Sequence, residues 1–322
     1  RIAPTLRTLR HADGSLARFH GGGRGVDGRL DQALSNSEVR HAAPDGLSMG
    51  FARLSGGRTS LVVDASVPPK DVSSHNAHAS TLAFEMTSGR RPLIVNCGSG
   101  KVFGEDWRSA GRATQSHSVL SIDGYSSARF AARGIKKRKL ELLVDSPKHV
   151  TVQVSEAPDG TRLQAGHDGY DSTHGLTHAR TLELTFNGRG LAGEDMLLAM
   201  EDASKKRFEK RMDELSLQGV AFSIRFHLHP EVDAALDMGD TAVSIAQKSG
   251  ELWVFRHDGV AELSLEPSVY LEKGRLQPRA TKQIVLTGRA MDYATRIRWS
   301  LSKTQDTAVG VRDLVLDNEP QF

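Results

Sequence analysis

The stretch Leu252-Trp253-Val254-Phe255-Arg256-His257-Asp258-Gly259-Val260-Ala261-Glu262-Leu263-Ser264-Leu265 decides the fold class. Residues 252–255 and 261–265 are short runs rich in the types that pack on a pleated surface. Between them, His257-Asp258-Gly259 carries the Asp-Gly chemistry of tight antiparallel connections, because these two residues tolerate the positive φ such turns require. The spacing predicts a β-hairpin over 252–265. Working outward, the same period-two pattern recurs. Upstream it covers 59–64, 81–86, 93–95, 119–122, 139–144, 150–154, 180–186, 196–200, 222–228 and 243–246. Downstream it covers 269–272, 283–286 and 297–301. Asp159-Gly160 marks a further turn. Short strands at such regular spacing, bounded by Gly, Pro, Asp and Asn, are the signature of sandwiches and barrels.

Helical signal is sparse. Residues 29–39 read as one short helix, and 204–215 as either a second helix or a charged surface loop. The strand–helix alternation of a Rossmann fold or a TIM barrel is missing. Gly21-Gly22-Gly23-Arg24-Gly25 does not match a phosphate-binding loop. The expectation is an all-β chain: a large multi-stranded antiparallel β-sandwich with a short N-terminal helical or irregular segment. Composition agrees. The 322 residues are 38% hydrophobic and 25% charged, which excludes a disordered chain. No apolar run approaches the ~20 residues of a membrane-spanning helix. Lys plus Arg is 42 against 39 for Asp plus Glu, so the surface is not broadly basic. With aromatics at 6% there is no set of stacking platforms for nucleic acid. A single cysteine, Cys97, excludes an internal disulfide.

The thirteen histidines are clustered rather than spread. His75 and His78 precede the 81–86 run, Asn96-Cys97-Gly98 ends the 93–95 run, and His117 leads the next. If 81–86 and 93–95 pair, then His78, Asn96 and His117 meet at one rim. Imidazole nitrogens there have the chemistry to hold a divalent metal, although an amide is an unusual third ligand. The alternative is histidines bonded to loop backbone. Cys97 is either a thiolate substitute for Asn96 or an inert core residue, since neighbours on a strand face opposite ways. His227 and His229 share one strand face. Arg108 and Arg112 have the fork geometry for carboxylates or sulfates, and residues 133–139 form a basic cluster.

Three segments resemble a known family. His78-Ala79-Ser80-Thr81-Leu82-Ala83-Phe84-Glu85 is similar to the His-Ala-Asp-x-Leu-Ser-Phe segment of heparinase II/III-like polysaccharide lyases. Pro92-Leu93-Ile94-Val95-Asn96-Cys97-Gly98 resembles their strand ending in Asp-Pro-Gly. Arg112-Ala113-Thr114-Gln115-Ser116-His117-Ser118-Val119 resembles their Arg-x-Thr-x-x-His-Asn-Thr. His167-Asp168-Gly169-Tyr170 with His178-Ala179-Arg180, and Arg225-Phe226-His227-Leu228-His229-Pro230, add weaker likenesses, so the resemblance runs from about Asp13 to about Ser300. It implies that residues 51–322 form the family's C-terminal β-sandwich and that 1–50 are the end of a preceding helical (α/α) toroid and its linker. It implies a protein that cleaves uronic-acid-containing, anionic polysaccharide by β-elimination, with most catalytic groups on the toroid. It implies a structural zinc on His78, Asn96 and His117, although Asn stands where the family has Asp. It also suggests substrate contacts from Arg108, Arg112, Tyr170 and His178, the last two being alternatively sheet-corner residues. The stretch Ser99-Gly100-Lys101-Val102-Phe103 lacks the tyrosine that several family lyases carry there. Catalytic residues therefore stay unassigned, and enzymatic activity is expected of a longer protein rather than of this chain alone. The competing readings are a non-catalytic carbohydrate-binding or structural β module, and, further off, a mutarotase-like enzyme. The compartment is open between periplasm and cytoplasm.

Overall fold

The computed structural model describes residues 2–23, 26, 28–39, 47–135, 138–272 and 274–306, the side chains at 135, 138 and 139 excepted. Two large antiparallel sheets face each other. The nine-stranded sheet runs, edge to edge, through Leu47–Ser48, Phe51–Gly56, Thr59–Asp64, Phe84–Ser88, Arg91–Val95, Val220–Leu228, Arg279–Ala290 and Glu262–Tyr270, with Leu120–Ile122 added beside Val220–Leu228. The eight-stranded sheet runs through Val232–Asp237, Ala242–Gln247, Leu252–His257, Ala294–Gln305, Gly190–Leu198, Leu176–Thr185, Gly160–Tyr170 and Val150–Ala157. The expected all-β sandwich is the fold observed.

Alternation explains the layers. Along Leu176–Thr185 buried and half-buried residues alternate strictly, as a strand with one covered face must. Inward residues of both sheets form one continuous apolar core. Its centre is aromatic. Phe84 and Phe226 of the first sheet meet Phe255 and Trp299 of the second, with ring centroids 5.8 Å apart for Phe84–Trp299 and 4.7 Å for Phe226–Trp299. Gly193 makes room for the indole: a Cβ there would lie 2.2 Å from the Trp299 ring.

The predicted 252–265 hairpin does not form. Leu252–His257 pairs with Ala242–Gln247 and Ala294–Gln305, whereas Glu262–Tyr270 pairs with Arg279–Ala290 in the other sheet. The Asp-Gly turn is a crossing between layers. Its aspartate fastens it to the second sheet, where the Asp258 N–H donates to Arg298 O (3.0 Å) and the Arg298 N–H donates to Asp258 Oδ2 (2.8 Å). Turn chemistry sets the reversal; which neighbour each run takes is decided by the rest of the sheet. Asp159-Gly160 is a true hairpin, with Ala157 opposite Gly160. The 261–265 and 269–272 runs are one strand. The 81–86 run becomes a strand only at Phe84, after Leu82 takes a positive φ of 65°.

Residues 204–215 resolve as a helix, Asp202–Glu214, that buries Phe208 and Met212 four residues apart. The predicted 29–39 helix is Arg29–Asn36. A short helix, Ile2–Thr8, lies near it. The chain between them packs on the first sheet: Phe19 stacks on Phe51, and Arg53 donates to the carbonyls of Thr8 (3.0 Å) and Arg10 (2.8 Å). The basic 133–139 cluster sits at the turn of a separate two-stranded ribbon, Arg129–Ile135 with Arg138–Val144; positions 136 and 137 lie outside the described residues, as do Arg24 and Gly25.

Candidate functional site

Of the expected His78, Asn96 and His117 rim, the structure brings the two imidazoles together. His78 and His117 lie on loop backbone at the ends of the first sheet's strands, both almost fully buried. His117 Nδ1 is 2.8 Å from Ala113 O, so this nitrogen carries the proton and donates. His117 Nε2 is then the acceptor, and His78 Nδ1–H donates to it across 3.1 Å. Burial pushes the His117 imidazolium down to about 4, and it holds His78 well below the usual histidine range, helped by His117 and His20 nearby. Both rings are neutral at pH 7. His20 joins from the N-terminal segment: its Nδ1 accepts the His78 N–H (3.2 Å), and its Nε2 faces Asp64 Oδ2 at 3.6 Å.

Asn96 is beside this pair but turned away from it. Its Oδ1 accepts the Ser118 N–H (2.8 Å), and its Nδ2 donates to Glu85 Oε1 (3.1 Å). Glu85 is itself buried. Its Oε2 accepts from His11 Nε2 (2.9 Å), and its Oε1 also accepts the Asn96 N–H (2.9 Å). Burial pulls the Glu85 carboxyl upward, but the His11 bond, Arg18 and Asn96 outweigh it and hold the group below the usual carboxylate range. Cys97 faces a different partner, His227, with Sγ 3.5 Å from Nδ1. Burial pushes its thiol up to about 11, so it is no thiolate.

A zinc ion at this rim would therefore find two imidazoles and an amide already spent on other groups. Among the described residues, no cluster of three or more His, Cys, Asp or Glu side chains has metal-binding placement. The donor set as it stands does not fit the ion.

The expected substrate-contact residues divide. Arg108 lies on the helix Glu105–Arg112 and lines an open depression of about 580 Å³, with His75, Lys101, Glu105, Ser109 and Glu141 around it. It donates to His75 O (2.8 Å) and pairs with Glu141 at 3.6 Å. Arg112 is instead a buried clamp. It donates to Ala77 O (2.8 Å), Ser74 O (3.0 Å) and Glu141 Oε2 (2.8 Å), and stacks over Phe130. Tyr170 and His178 are core residues with no exposed surface, which corrects their reading as substrate contacts. The Tyr170 hydroxyl donates to Leu120 O (3.3 Å). Their sheet-corner reading describes what they touch.

His178 belongs to a network that the sequence did not announce. Gly169 N–H donates to His167 Nδ1, His167 Nε2–H to His178 Nδ1 (3.4 Å), and His178 Nε2–H to Asp195 (2.7 Å). Asp195 also accepts from Arg180 (2.8 and 3.0 Å) and from Trp299 Nε1 (2.9 Å). Arg180 then reaches across the layers to Leu82 O and Ser118 O, both at 2.9 Å. His227 and His229 are equally structural. His227 Nε2–H donates to Gln115 O (3.0 Å), and His229 packs edge-on against Tyr270. Sequence reasoning missed His11, His20, Asp64 and Glu85. The only signal for them was their chemical type, because their partners lie far away along the chain.

The chain is thus a two-layer antiparallel sandwich with a pair of buried histidines at one end and a polar network between its layers. The family described as heparinase II/III-like, C-terminal, matches residues 38–300, and the chain belongs to that family. A relative, FtsZ-localized protein C of Caulobacter vibrioides, is 30% identical over 312 residues, covering 95% of this chain and 51% of that protein. Among solved structures, the heparan sulfate lyase HepC of Pedobacter heparinus shares the fold at a TM-score of 0.64 and 12% identity, over 94% of this chain and 46% of that one. A heparinase III structure gives 0.63 and 13%, over 94% and 47%. The chain thus spans about half the length of these proteins.

Proposed function

We propose that this chain is the β-sandwich part of a polysaccharide-lyase-related protein, and that it presents one wall of a binding surface for an anionic, uronic-acid-containing glycan. The observation that carries the reading is the family match over 38–300. Arg108 and Lys101, beside the open depression, supply the cationic contacts. Cleavage by β-elimination requires a base for the proton at C5 and an acid for the leaving oxygen. The imidazoles of the rim are buried and bonded to one another, and Tyr170 and Tyr270 are buried with their hydroxyls pushed far up by desolvation. In this reading the elimination machinery is carried by an N-terminal toroid of a longer protein and not by these buried groups. The test is an ultraviolet assay for unsaturated uronate with heparan, hyaluronan and alginate offered in turn. The expected result is no turnover by residues 1–322 alone and turnover by the longer protein; robust turnover by the chain alone contradicts the assignment.

A second reading, a non-catalytic module that associates with FtsZ, is favoured by the 30% identity to FtsZ-localized protein C over 95% of this chain. The missing tyrosine at 99–103 and Asn96 in place of aspartate agree with it. Co-sedimentation of the longer protein with FtsZ polymers, with no uronate product on any glycan, is its expected signature.

A further inference from the structure

We infer that in this chain Asn96, where the family resemblance places a zinc ligand, is instead bound into a hydrogen-bonded knot with Glu85, and that the knot fastens residues 10–20 onto the sandwich.

The argument rests on how the donors are spent. The buried Glu85 carboxylate collects four donors: His11 Nε2–H and the Asn96, Asn96 Nδ2 and Arg18 N–H groups, between 2.9 and 3.3 Å. Asn96 is held at both ends, because its Oδ1 takes the Ser118 N–H. Turning Asn96 toward the imidazoles would strip Ser118 N and Glu85 of partners in a buried place, where a bare donor or acceptor is expensive. A carboxylate at position 96 would set two anions side by side without water. Glu at 85 and Asn at 96 therefore specify each other. His78 and His117 stay hydrogen-bonded to each other at 3.1 Å, with the other nitrogen of His117 on Ala113 O. His20 lies nearby, but its Nδ1 accepts the His78 N–H, and Asp64 accepts from Ser66 and Ser80, so the two neutral imidazoles are left short of a structural zinc set.

The knot also has a task that a metal on this rim would not perform. Its donors come from both sides of a seam. His11 and Arg18 belong to the N-terminal segment, and Glu85 and Asn96 to the sheet. The Arg18 guanidinium lies 3.8 Å over the Tyr270 ring and donates to Leu271 O, and His20 Nδ1 accepts the His78 N–H. The segment is thus held at three points along 11–20.

Two measurements test the inference. The chain is loaded with zinc, desalted and assayed for metal, and its unfolding temperature is read in EDTA and in micromolar zinc. The expected result is far less than one zinc per chain and the same unfolding temperature in both. One zinc per chain, lost in His117→Gln, overturns the inference. Hydrogen–deuterium exchange tests the fastening. His11→Leu is expected to speed exchange of the 10–20 amides tenfold or more while the 84–95 strands keep their protection; unchanged protection at 10–20 overturns it. If His11→Leu does not fold, Glu85→Gln is read in the same way, since it keeps the shape and removes the charge.

Discussion

At the scale of single residues, the decisive quantities are buried charges and buried neutral imidazoles. Asp195 accepts from Arg180, His178 and Trp299 with no water access. Asp195→Ala would leave the Arg180 guanidinium buried and unpaired, and is expected to cost about 3–5 kcal/mol in urea unfolding. The histidines predict an acid-sensitive fold. Burial pushes His117 and His174 down to about 4, and His227 and His229 down to about 3. An unfolded histidine titrates near 6.5. Between about pH 4 and 6.5 the unfolded chain binds protons that the folded chain refuses, so stability rises with pH and is lost on acidification. A single fully buried histidine of this kind should cost about 2 kcal/mol between pH 7 and pH 5. Urea midpoints at the two values check this, and His117→Gln should flatten the slope. Asp195 adds a separate loss at lower pH. Burial alone would raise its carboxyl, but Arg180 and His178 hold it well below the ordinary range, so its contribution fades only as pH falls beneath about 4.

At the scale of elements, two close fits are testable. Phe208 anchors the helix Asp202–Glu214 in the core, and Phe208→Ala is expected to cost about 3–5 kcal/mol. Gly193 faces the Trp299 indole, and Gly193→Ala forces that ring aside, for about 1–3 kcal/mol and a changed near-ultraviolet tryptophan signal. Most strands were legible in the amino-acid order because their covered faces alternate. The run 59–64 coincides with Thr59–Asp64, a strand buried at every position, where the apolar run Leu61-Val62-Val63 rather than alternation carries the signal. Gly160–Tyr170 was missed: its sequence is Gly-rich and polar, and its inward groups include His167, which the Asp195 network rather than hydrophobicity accounts for. The turn at Asp258-Gly259 was legible as a turn but not as an interlayer crossing, because period two reports which face is covered and not which strand lies alongside. The meeting of His78 and His117 was readable from two strand ends at matching spacing. Glu85 was quoted within the His78–Glu85 segment, yet its pairing with His11 joins residues 74 apart in the chain, and no local pattern encodes such a contact.

At the scale of the whole molecule, one continuous core joins both sheets. Calorimetry should therefore show one cooperative transition rather than two, with equal calorimetric and van't Hoff enthalpies. Among the described residues, no helix is long and apolar enough to cross a membrane.

The bolt formed by Arg180, Asp195 and His178 has a kinetic corollary. Three hydrated groups must shed their water together before the layers can close, and Arg180 must find the carbonyls of Leu82 and Ser118 at the same moment. Drying that seam therefore falls within the rate-limiting step of folding. Replacing Arg180 with Met and Asp195 with Leu should quicken closure in stopped-flow refolding, since an oily seam has no ions to strip. If so, the native ions act as a latch that selects the correct mating of the sheets at the expense of speed.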